Sequence, residues 1–193
     1  MTGRYGIVHG RFQPFHNGHL AYVMKALKES TNLVIGITNP DPTQIKYEDV
    51  DPRRHMPKYN PFTFFERLLM IKRTLEDANI DMSRINIVPL PIHNIELWKF
   101  YLPANGIYYM ILTSEWAHKK LERMRTFGLE VQIIGKQRIG GVEGANIRKC
   151  IVNKQDWECF VPKAVARVIL DINGVERIRM LYGLVSGDNE LLQ

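Results

Sequence analysis

Cysteine is scarce in this sequence, and long apolar runs are missing from it. The 193 residues include two cysteines, Cys150 and Cys159, which are not in C-x-x-C spacing, so we expect reduced packing residues instead of a disulfide framework. No apolar stretch approaches the roughly 20 residues that a bilayer-spanning helix needs. Residues 1–6 form a short polar start, which indicates no signal peptide. These absences predict a soluble, cytoplasmic protein with no membrane partner.

Acidic side chains are outnumbered by basic ones. Lys and Arg total 26 against 20 Asp and Glu, which gives a net charge of +6 and favours an acidic partner. The basic residues are spread along the chain and form no recognised nucleic-acid motif, so we expect small phosphorylated substrates and no nucleic acid. The hydrophobic content of 45% suffices for one core. We therefore predict one domain over residues 1–186 and a tail over residues 187–193.

Strands and helices alternate along the sequence. Apolar runs rich in β-branched residues predict five short strands, over residues 5–8, 33–38, 84–90, 107–113 and 129–134. Helical spacing between them predicts helices from residue 17, over residues 61–77 and over residues 114–126, with further helices after residue 143. The expected fold class is α/β, a Rossmann-like, doubly wound, five-stranded parallel sheet with helices on both faces and C-terminal helices. Ligands of such folds bind beyond the carboxyl ends of the strands.

Residues 7–20 combine a strand end, a turn and a helix start. The free N–H groups and the positive dipole end of such a helix favour the phosphates of a nucleotide. Arg11, His16 and His19 lie at this point, and we predict that they are the catalytic residues. A zinc site on the two histidines is a weaker alternative, because the sequence supplies no cluster of further ligands. The residues of this stretch assigned to nucleotide and phosphate binding are Gly10, Phe12 and Gly18.

Residues 10–19, Gly-Arg-Phe-Gln-Pro-Phe-His-Asn-Gly-His, closely resemble the signature of the H-x-G-H nucleotidylyltransferases, in particular archaeal-type nicotinamide mononucleotide adenylyltransferases. Residues 60–63, 161–165 and 173–178 extend the resemblance over nearly the whole chain. It implies transfer of a nucleoside monophosphate from a triphosphate to a phosphorylated acceptor with release of pyrophosphate, and most closely ATP plus nicotinamide mononucleotide giving NAD. Mg²⁺, held mainly by substrate phosphates, is the expected cofactor, and no metal ligands are assigned. The resembling enzymes are homo-oligomers, so we expect one here.

The segment over residues 39–61 interrupts the alternation with five prolines. It leaves the carboxyl end of the second strand, on the same side as the H-x-G-H turn. Long connections of this kind are commonly lids or binding loops, and a solvated insertion is the alternative. Thr38 and Asn39, where the segment begins, are assigned to acceptor binding. The lid candidates are Arg53, Arg54 and His55.

The helix predicted after this segment has a marked start. Thr63 and Glu66 are in the T-x-x-E spacing of a capping box. Arg67 follows in a part of the sequence that resembles the same family, and we expect a structural role for it. Pairing with Glu66 or with a lid carboxylate is the alternative.

Residues 89–98, Pro-Leu-Pro-Ile-His-Asn-Ile-Glu-Leu-Trp, follow the third predicted strand. In the family, a Trp after a similar segment stacks on the nicotinamide ring, and a nearby Asn reads its amide. The resemblance therefore assigns Trp98 to acceptor binding, with Asn94 as a substitute for the family's Asn. A core position for Trp98 is the alternative.

A second phosphate site is expected where a helix opens at residues 144–149. Arg148 matches the arginine of the family's I-S-x-T-x-x-R motif, but Glu143 and Ala145 replace its two hydroxyl residues. Backbone N–H groups and the arginine remain as donors. The residues assigned to phosphate binding here are Gly144, Asn146 and Arg148.

A further departure follows the fourth strand, where Glu115 lies in place of the family's Ser-Gly-Asn. A carboxylate there disfavours an acceptor phosphate, unless it points away. Two alternatives to the NAD-forming reaction therefore stay open. One is a CTP-dependent cytidylyltransferase acting on a phosphonate or another phosphorylated metabolite, and the other is a nucleotide-binding sensor without turnover.

Overall fold

The computed structural model describes residues 4–47, 55–137 and 141–187. Its centre is one parallel sheet of five strands. The strands are β1 (Tyr5–Gly10), β2 (Asn32–Thr38), β3 (Ile85–Leu90), β4 (Ile107–Ile111) and β5 (Val131–Gly135). They lie in the order β3-β2-β1-β4-β5, so β1 is the central strand.

Six α-helices connect and follow the strands in the described part of the chain. They are α1 (Asn17–Lys28), α2 (Phe64–Asp77), α3 (Glu115–Thr126), α4 (Gly144–Val152), α5 (Lys163–Asp171) and α6 (Gly174–Gly187). A 3-10 helix over Ile95–Phe100 lies between β3 and β4. No helix among the described residues combines the length and the apolar character needed to cross a bilayer.

Successive residues of β1 face opposite sides of the sheet, and each side is covered by helices. Val8 belongs to a core that α1, α2, α4, α5 and α6 share. Ile7 belongs to a second core with Trp98 of the 3-10 helix and Leu121 of α3. This alternation is the period-two pattern of a strand that is buried on both faces. The predicted Rossmann-like α/β fold, with C-terminal helices, is confirmed.

Several element boundaries differ from the predicted ones by a few residues. The second predicted helix begins at Phe64 and not at residue 61, because Thr63 is its N-cap. The Thr63 hydroxyl accepts from the Glu66 N–H and the Glu66 carboxylate accepts from the Thr63 N–H, which is the expected capping box. The fourth strand ends at Ile111, two residues before the predicted end.

Candidate active site

A cavity of about 700 Å³ lies at the carboxyl edge of the sheet, around the end of β1. The strand order reverses direction at β1, so the cavity is at the topological switch point where α/β folds bind ligands. Helices α1, α3 and α4 all direct their N-termini to it. The predicted site residues that line it are Gly10, Arg11, Phe12, His16, Gly18, His19, Thr38, Gly144 and Arg148.

The two histidines of the H-x-G-H motif form the cap of α1. His16 is the N-cap residue, and its Nδ1 accepts a 3.3 Å hydrogen bond from the backbone N–H of His19. In return the Nδ1 of His19 accepts from the N–H of His16 at 3.4 Å, and the two rings stack with centroids 3.5 Å apart. The spacing of the motif is therefore that of a capping box, in which imidazoles replace the usual hydroxyl and carboxylate.

This capping arrangement assigns the tautomer of both rings. Because each Nδ1 accepts a backbone N–H, the proton of each neutral imidazole is on Nε2. A neutral ring of this tautomer is a hydrogen-bond donor through Nε2. His16 and His19 are thus fixed in orientation by the helix whose N-terminus attracts phosphate, and both line the cavity with a donor type that suits phosphate oxygens.

The electrostatic surroundings keep His19 neutral in the free protein. Burial lowers the pKa of His19 well below its ordinary value, and His16 and the nearby Arg11 guanidinium lower it further. The carbonyl of Pro14 opposes this shift to a smaller degree. A second histidine at the cavity, His9, has its pKa lowered in the same direction, mainly by burial and then by Lys120. An entering phosphate adds negative charge and so favours protonation.

These two lowered pKa values predict that the free energy of unfolding falls on acidification. The unfolded chain takes up protons on His9 and His19 near pH 6.5, while the folded state resists them. Stability is therefore lost as the pH falls below about 6.5, by up to ~1.4 kcal/mol per pH unit for each histidine. Urea unfolding followed by circular dichroism at pH 7.5, 6.5 and 5.5 measures this slope.

Two variants assign the slope to the buried histidines. His9→Val is expected to reduce it by the share of one proton, and His19→Asn, which removes the other buried imidazole, is expected to do the same. Burial raises the pKa of Glu66, but Arg177 and Thr63 lower it by more, so it too is shifted. The stability that this carboxylate contributes is lost only as the pH falls below about 5, outside the measured range. A free energy that does not change between pH 7.5 and 5.5 would contradict the prediction.

Helix α4 comes close to the loop between β1 and α1, and glycine permits this. A Cβ on Gly144 would lie 2.8 Å from the carbonyl oxygen of Gln13, which is too close for any other residue without backbone movement. Gln13 is itself fixed, because its side chain donates to the Phe62 carbonyl at 2.8 Å and accepts from the Phe62 N–H at 2.9 Å. The first N–H groups of α4, those of Gly144 and Ala145, have no partner inside the helix and border the cavity.

Arg148 is a buried cation in the wall of the cavity. It is 2% exposed, and its Nη1 donates to the Gln13 carbonyl. The guanidinium lies over the ring of Tyr59, with 5.4 Å between Cζ and the ring centroid. Its Nε has no hydrogen-bond partner among the described residues. Tyr59 ends the proline-rich segment, so the structure brings that segment to the site through an aromatic residue that the sequence did not single out.

Arg67 holds together the backbone beneath the site. The side chain is 1% exposed and donates to the carbonyls of Arg11 at 2.8 Å, Thr38 at 2.7 Å and Asn39 at 2.8 Å. Its Nε also donates to the carbonyl of Thr63 at 3.1 Å. Burial lowers its pKa to about 10, against the opposing effect of Glu66. The expected structural role is therefore specific, because one guanidinium joins the ends of β1 and β2 to the start of α2.

Within the described residues, the hydrogen bonds of Arg67 go to backbone carbonyls and not to Glu66. Glu66 instead accepts from Arg177 of α6, with distances of 2.7 and 2.8 Å to its two carboxylate oxygens.

Glu115, the carboxylate at the start of α3, lines the cavity but is directed to Lys119, with 3.4 Å between Oε1 and Nζ. The structure thus favours the case in which Glu115 points away from an acceptor phosphate.

The assignment of Trp98 to the acceptor is corrected by the structure. The indole is 2% exposed, donates through Nε1 to the Pro91 carbonyl at 3.0 Å and stacks on Tyr108 at 5.7 Å. The 3-10 helix over Ile95–Phe100 directs this side chain onto the sheet, so no indole face is open to a ligand ring. Trp98 is a core aromatic, and Asn94, at the start of that 3-10 helix, does not line the cavity either.

Several other predicted contacts also differ in the structure. Phe12 is 1% exposed and packs its ring against Phe15 and His19, so what it offers a nucleotide is its backbone. Asn146 is exposed on α4 and does not line the cavity, which Gly144 and Ala145 of the same helix border instead.

The remaining acceptor and lid candidates lie in the segment after β2. Asn39, at a φ of 52°, does not line the cavity, although its carbonyl belongs to the Arg67 cluster. Its side-chain oxygen is buried and has no hydrogen-bond partner among the described residues. His55 is exposed and contacts Tyr47, away from the cavity. Arg53 and Arg54 lie outside the described residues.

The sequence matches the model of one protein family, described as cytidylyltransferase-like, over residues 7–187. The protein belongs to this family. A phosphonoformate cytidylyltransferase of Streptomyces viridochromogenes is 40% identical to this cytidylyltransferase-like protein over 174 residues, which are 90% of this chain and 95% of the relative. A nicotinamide-nucleotide adenylyltransferase of Thermococcus kodakarensis is 32% identical over 189 residues, 96% of this chain and 93% of the relative.

Solved structures agree with the fold of this cytidylyltransferase-like protein. A bifunctional NMN adenylyltransferase/ADP ribose pyrophosphatase from Francisella tularensis superposes with a TM-score of 0.71 at 19% identity. The superposition covers 98% of this chain and 56% of that longer protein. The predicted resemblance and the nucleotidyltransferase class of enzyme are confirmed by these relatives. Their names divide between a cytidylyl and an adenylyl donor, so the substrates are a separate question.

Proposed function

We propose that this protein transfers CMP from CTP to a small phosphonate and releases pyrophosphate. The observation that carries the proposal is the burial of Trp98, whose indole is covered by Tyr108 and is 2% exposed. Among the described side chains on the α3 side of the cavity, none then offers an open aromatic face as a platform for the flat ring of a nicotinamide nucleotide. A compact acidic acceptor needs no such platform. The identity of 40% to a phosphonoformate cytidylyltransferase supports the same choice of substrates.

The reaction requires alignment and charge stabilisation more than proton transfer. An ionised oxygen of the phosphonate attacks the α-phosphorus of CTP, a new P–O bond forms, and the bond to the bridging oxygen of the β-phosphate breaks. The electron pair of that bond leaves with pyrophosphate, so no covalent enzyme intermediate is involved. In this proposal His16 and His19 donate through Nε2 to the α-phosphate and the bridging oxygen, where charge develops.

The leaving group needs cations and N–H donors of its own. Arg148, Arg11 and the first N–H groups of α4 all border the cavity and would hold the β- and γ-phosphates. In the described part of the chain no group of three or more His, Cys, Asp or Glu side chains is arranged to hold a metal ion. Mg²⁺ carried on phosphate oxygens needs no such group, and when bound it would neutralise charge on the triphosphate. Glu143, which lines the cavity beside Gly144, is the carboxylate that would face it.

Transfer of AMP from ATP to nicotinamide mononucleotide is the second candidate. Relatives with that name are 31–34% identical to this chain over most of its length, and the H-x-G-H turn suits either nucleotide. A sensor without turnover is disfavoured because His16, Gly18, His19 and Arg148 all reach one cavity.

Pyrophosphate release with a matrix of substrates tests the proposal. CTP, ATP, GTP and UTP are each paired with phosphonoformate, methylphosphonate, nicotinamide mononucleotide and nicotinate mononucleotide, in the presence of Mg²⁺. The expected result is turnover with CTP and phosphonoformate, and a kcat/KM for CTP at least about tenfold above that for ATP, which is ~1.4 kcal/mol of discrimination. NAD formation from ATP and nicotinamide mononucleotide as the faster reaction would overturn the proposal. Nucleotide binding without turnover of any pair would support the sensor.

A further inference from the structure

His9 is a polar residue at the cavity for which the reaction described above has no use. It is the last residue of β1 before Gly10, it is 6% exposed, and it lines the cavity. By the alternation of the strand its side chain shares a face with Ile7 and lies opposite to Val8. It therefore lies on the α3 side of the sheet, whereas His16 and His19 belong to α1 on the other side.

Within the described residues, neither ring nitrogen of His9 has a hydrogen-bond partner. A buried polar group without a partner costs about 1–3 kcal/mol, so its presence in a native structure calls for an explanation. The neutral imidazole, which its lowered pKa favours, has one N–H donor and one acceptor nitrogen. A ligand in the adjoining cavity would supply a partner for this buried donor.

The packing contacts described around His9 are with Trp98 and Gly36, and neither forms a hydrogen bond with its ring nitrogens. Trp98 packs its edge against the imidazole, with 5.5 Å between the ring centroids. Gly36 is paired with His9 across β1 and β2, and a Cβ there would lie 3.3 Å from the His9 Cβ and 2.9 Å from Leu90. The absence of a side chain at Gly36 thus permits the close packing of Leu90 and the His9 Cβ at this point of the sheet. The buried Trp98 thus packs against His9 and does not contact an acceptor directly.

The charge next to His9 is positive. Lys120 of α3 lines the same cavity and is close enough to lower the pKa of His9. Glu115, at the start of the same helix, also lines the cavity, but its carboxylate pairs with Lys119 at 3.4 Å. The α3 side of the cavity therefore combines an ammonium group with a neutral imidazole donor. That combination is suited to an anionic oxygen ligand.

The two sides of the cavity are suited to different substrates. The α1 and α4 side holds His16, His19 and Arg148 with two helix N-termini, and this set is suited to a triphosphate. The acceptor must then approach from the α3 side, where His9 and Lys120 lie. We infer that His9 and Lys120 form a subsite for a carboxylate of the acceptor, next to the phosphonate that is activated. This inference rests on the proposed function, since it assigns the remaining acidic group of its acceptor.

Steady-state kinetics of His9→Val test the subsite. Valine suits a strand, and loss of an orphaned imidazole is not expected to lower stability, so thermal unfolding should be close to that of the wild type. We expect the KM for phosphonoformate to rise about tenfold or more, while kcat and the KM for CTP change less than about threefold. With methylphosphonate, which lacks a carboxylate, the two proteins should have equal KM values.

Two basic residues of α3 provide a matched pair of variants. Lys120→Met is expected to raise the KM for phosphonoformate in the same way as His9→Val. Arg125→Met, at an exposed position of the same helix that does not line the cavity, is expected to leave that constant unchanged. A rise in the KM for CTP with no change for the acceptor would overturn the inference and would assign His9 to the nucleotide. Unchanged constants in His9→Val would overturn it as well.

A comparison of acceptors separates failure of the subsite from failure of the proposed function. If the wild type instead makes a dinucleotide from ATP and a pyridine mononucleotide, the proposed function has failed. The subsite then predicts that the nicotinate compound, which has a carboxylate, is favoured over the nicotinamide compound and that His9→Val removes this preference. Calorimetric titration of phosphonoformate and methylphosphonate onto both proteins makes the same comparison without turnover. Equal affinities of the wild type for the two phosphonates would contradict the subsite.

Discussion

Replacing His19 with alanine is expected to lower kcat by about 100-fold or more, the usual scale for loss of one transition-state donor. The ring is fixed by the capping box with His16, so its Nε2–H is aligned before the substrate arrives. Because the interaction strengthens as charge develops on the phosphates, the loss should appear in kcat more than in KM. Initial rates of pyrophosphate release at saturating substrates measure it. A loss of only a few-fold with the fold intact would remove His19 from the catalytic set.

The same histidine also caps α1, and two further variants separate the two roles. In His19→Asn the side-chain oxygen replaces Nδ1 as the cap acceptor, but nothing replaces Nε2. In His19→Gln the amide nitrogen comes near the position of Nε2, and the amide oxygen can still accept the N-cap N–H. A catalytic role predicts that Asn is as inactive as Ala with stability near the wild type, and that Gln regains part of kcat. The opposite order would make capping the main role, and His118→Ala, exposed on α3, is the control for loss of an imidazole.

Replacing Arg67 with methionine is expected to destabilise the fold by about 3 kcal/mol or more. The substitution removes the donor to the carbonyls of Arg11, Thr38 and Asn39, and methionine has no group to replace it. Each buried carbonyl left without a partner adds its own desolvation cost. Because two of these residues line the cavity, activity should be lost together with stability.

Urea unfolding of Arg67→Met and Arg73→Met gives a matched comparison on one helix. Arg73 is on the exposed side of α2, 3.5 Å from Asp171, and its loss is expected to cost no more than ~1 kcal/mol. Arg67→Lys is expected to recover little, since an ammonium group lacks the planar set of donors that reaches separate carbonyls. A change in the free energy of unfolding as small as that of Arg73→Met would show that the carbonyl cluster is dispensable.

The catalytic motif and the fold are linked through helix capping. His16 and His19 satisfy backbone N–H groups of α1 with the same rings that are proposed to contact the substrate. Their positions are therefore fixed by secondary structure and not by the loop alone, which is the arrangement that holds a site within narrow limits. Gln13 and Gly144 extend this rigidity, because they fix the distance between the loop and the N-terminus of α4.

Local and periodic signals in the sequence were sufficient for the fold and for half of the site. Alternation of apolar runs predicts the five strands and the helices between them, and Thr63 and Glu66 predict the start of α2, since each signal depends on neighbours within a few residues. The H-x-G-H turn predicts a phosphate site for the same reason. Its four residues fix a helix cap whatever the rest of the chain does.

Only the tertiary structure decided how the remaining residues act, because their partners are distant in sequence. Arg67 reaches carbonyls 28, 29 and 56 residues away, and no local pattern indicates where a long guanidinium side chain ends. Trp98 matches a ligand-binding residue of the family in sequence, yet it packs in the core and supports His9. The sequence by itself thus determined the reaction class, through short-range motifs. The three-dimensional packing of β1, α3 and α4 decided which residues face the acceptor.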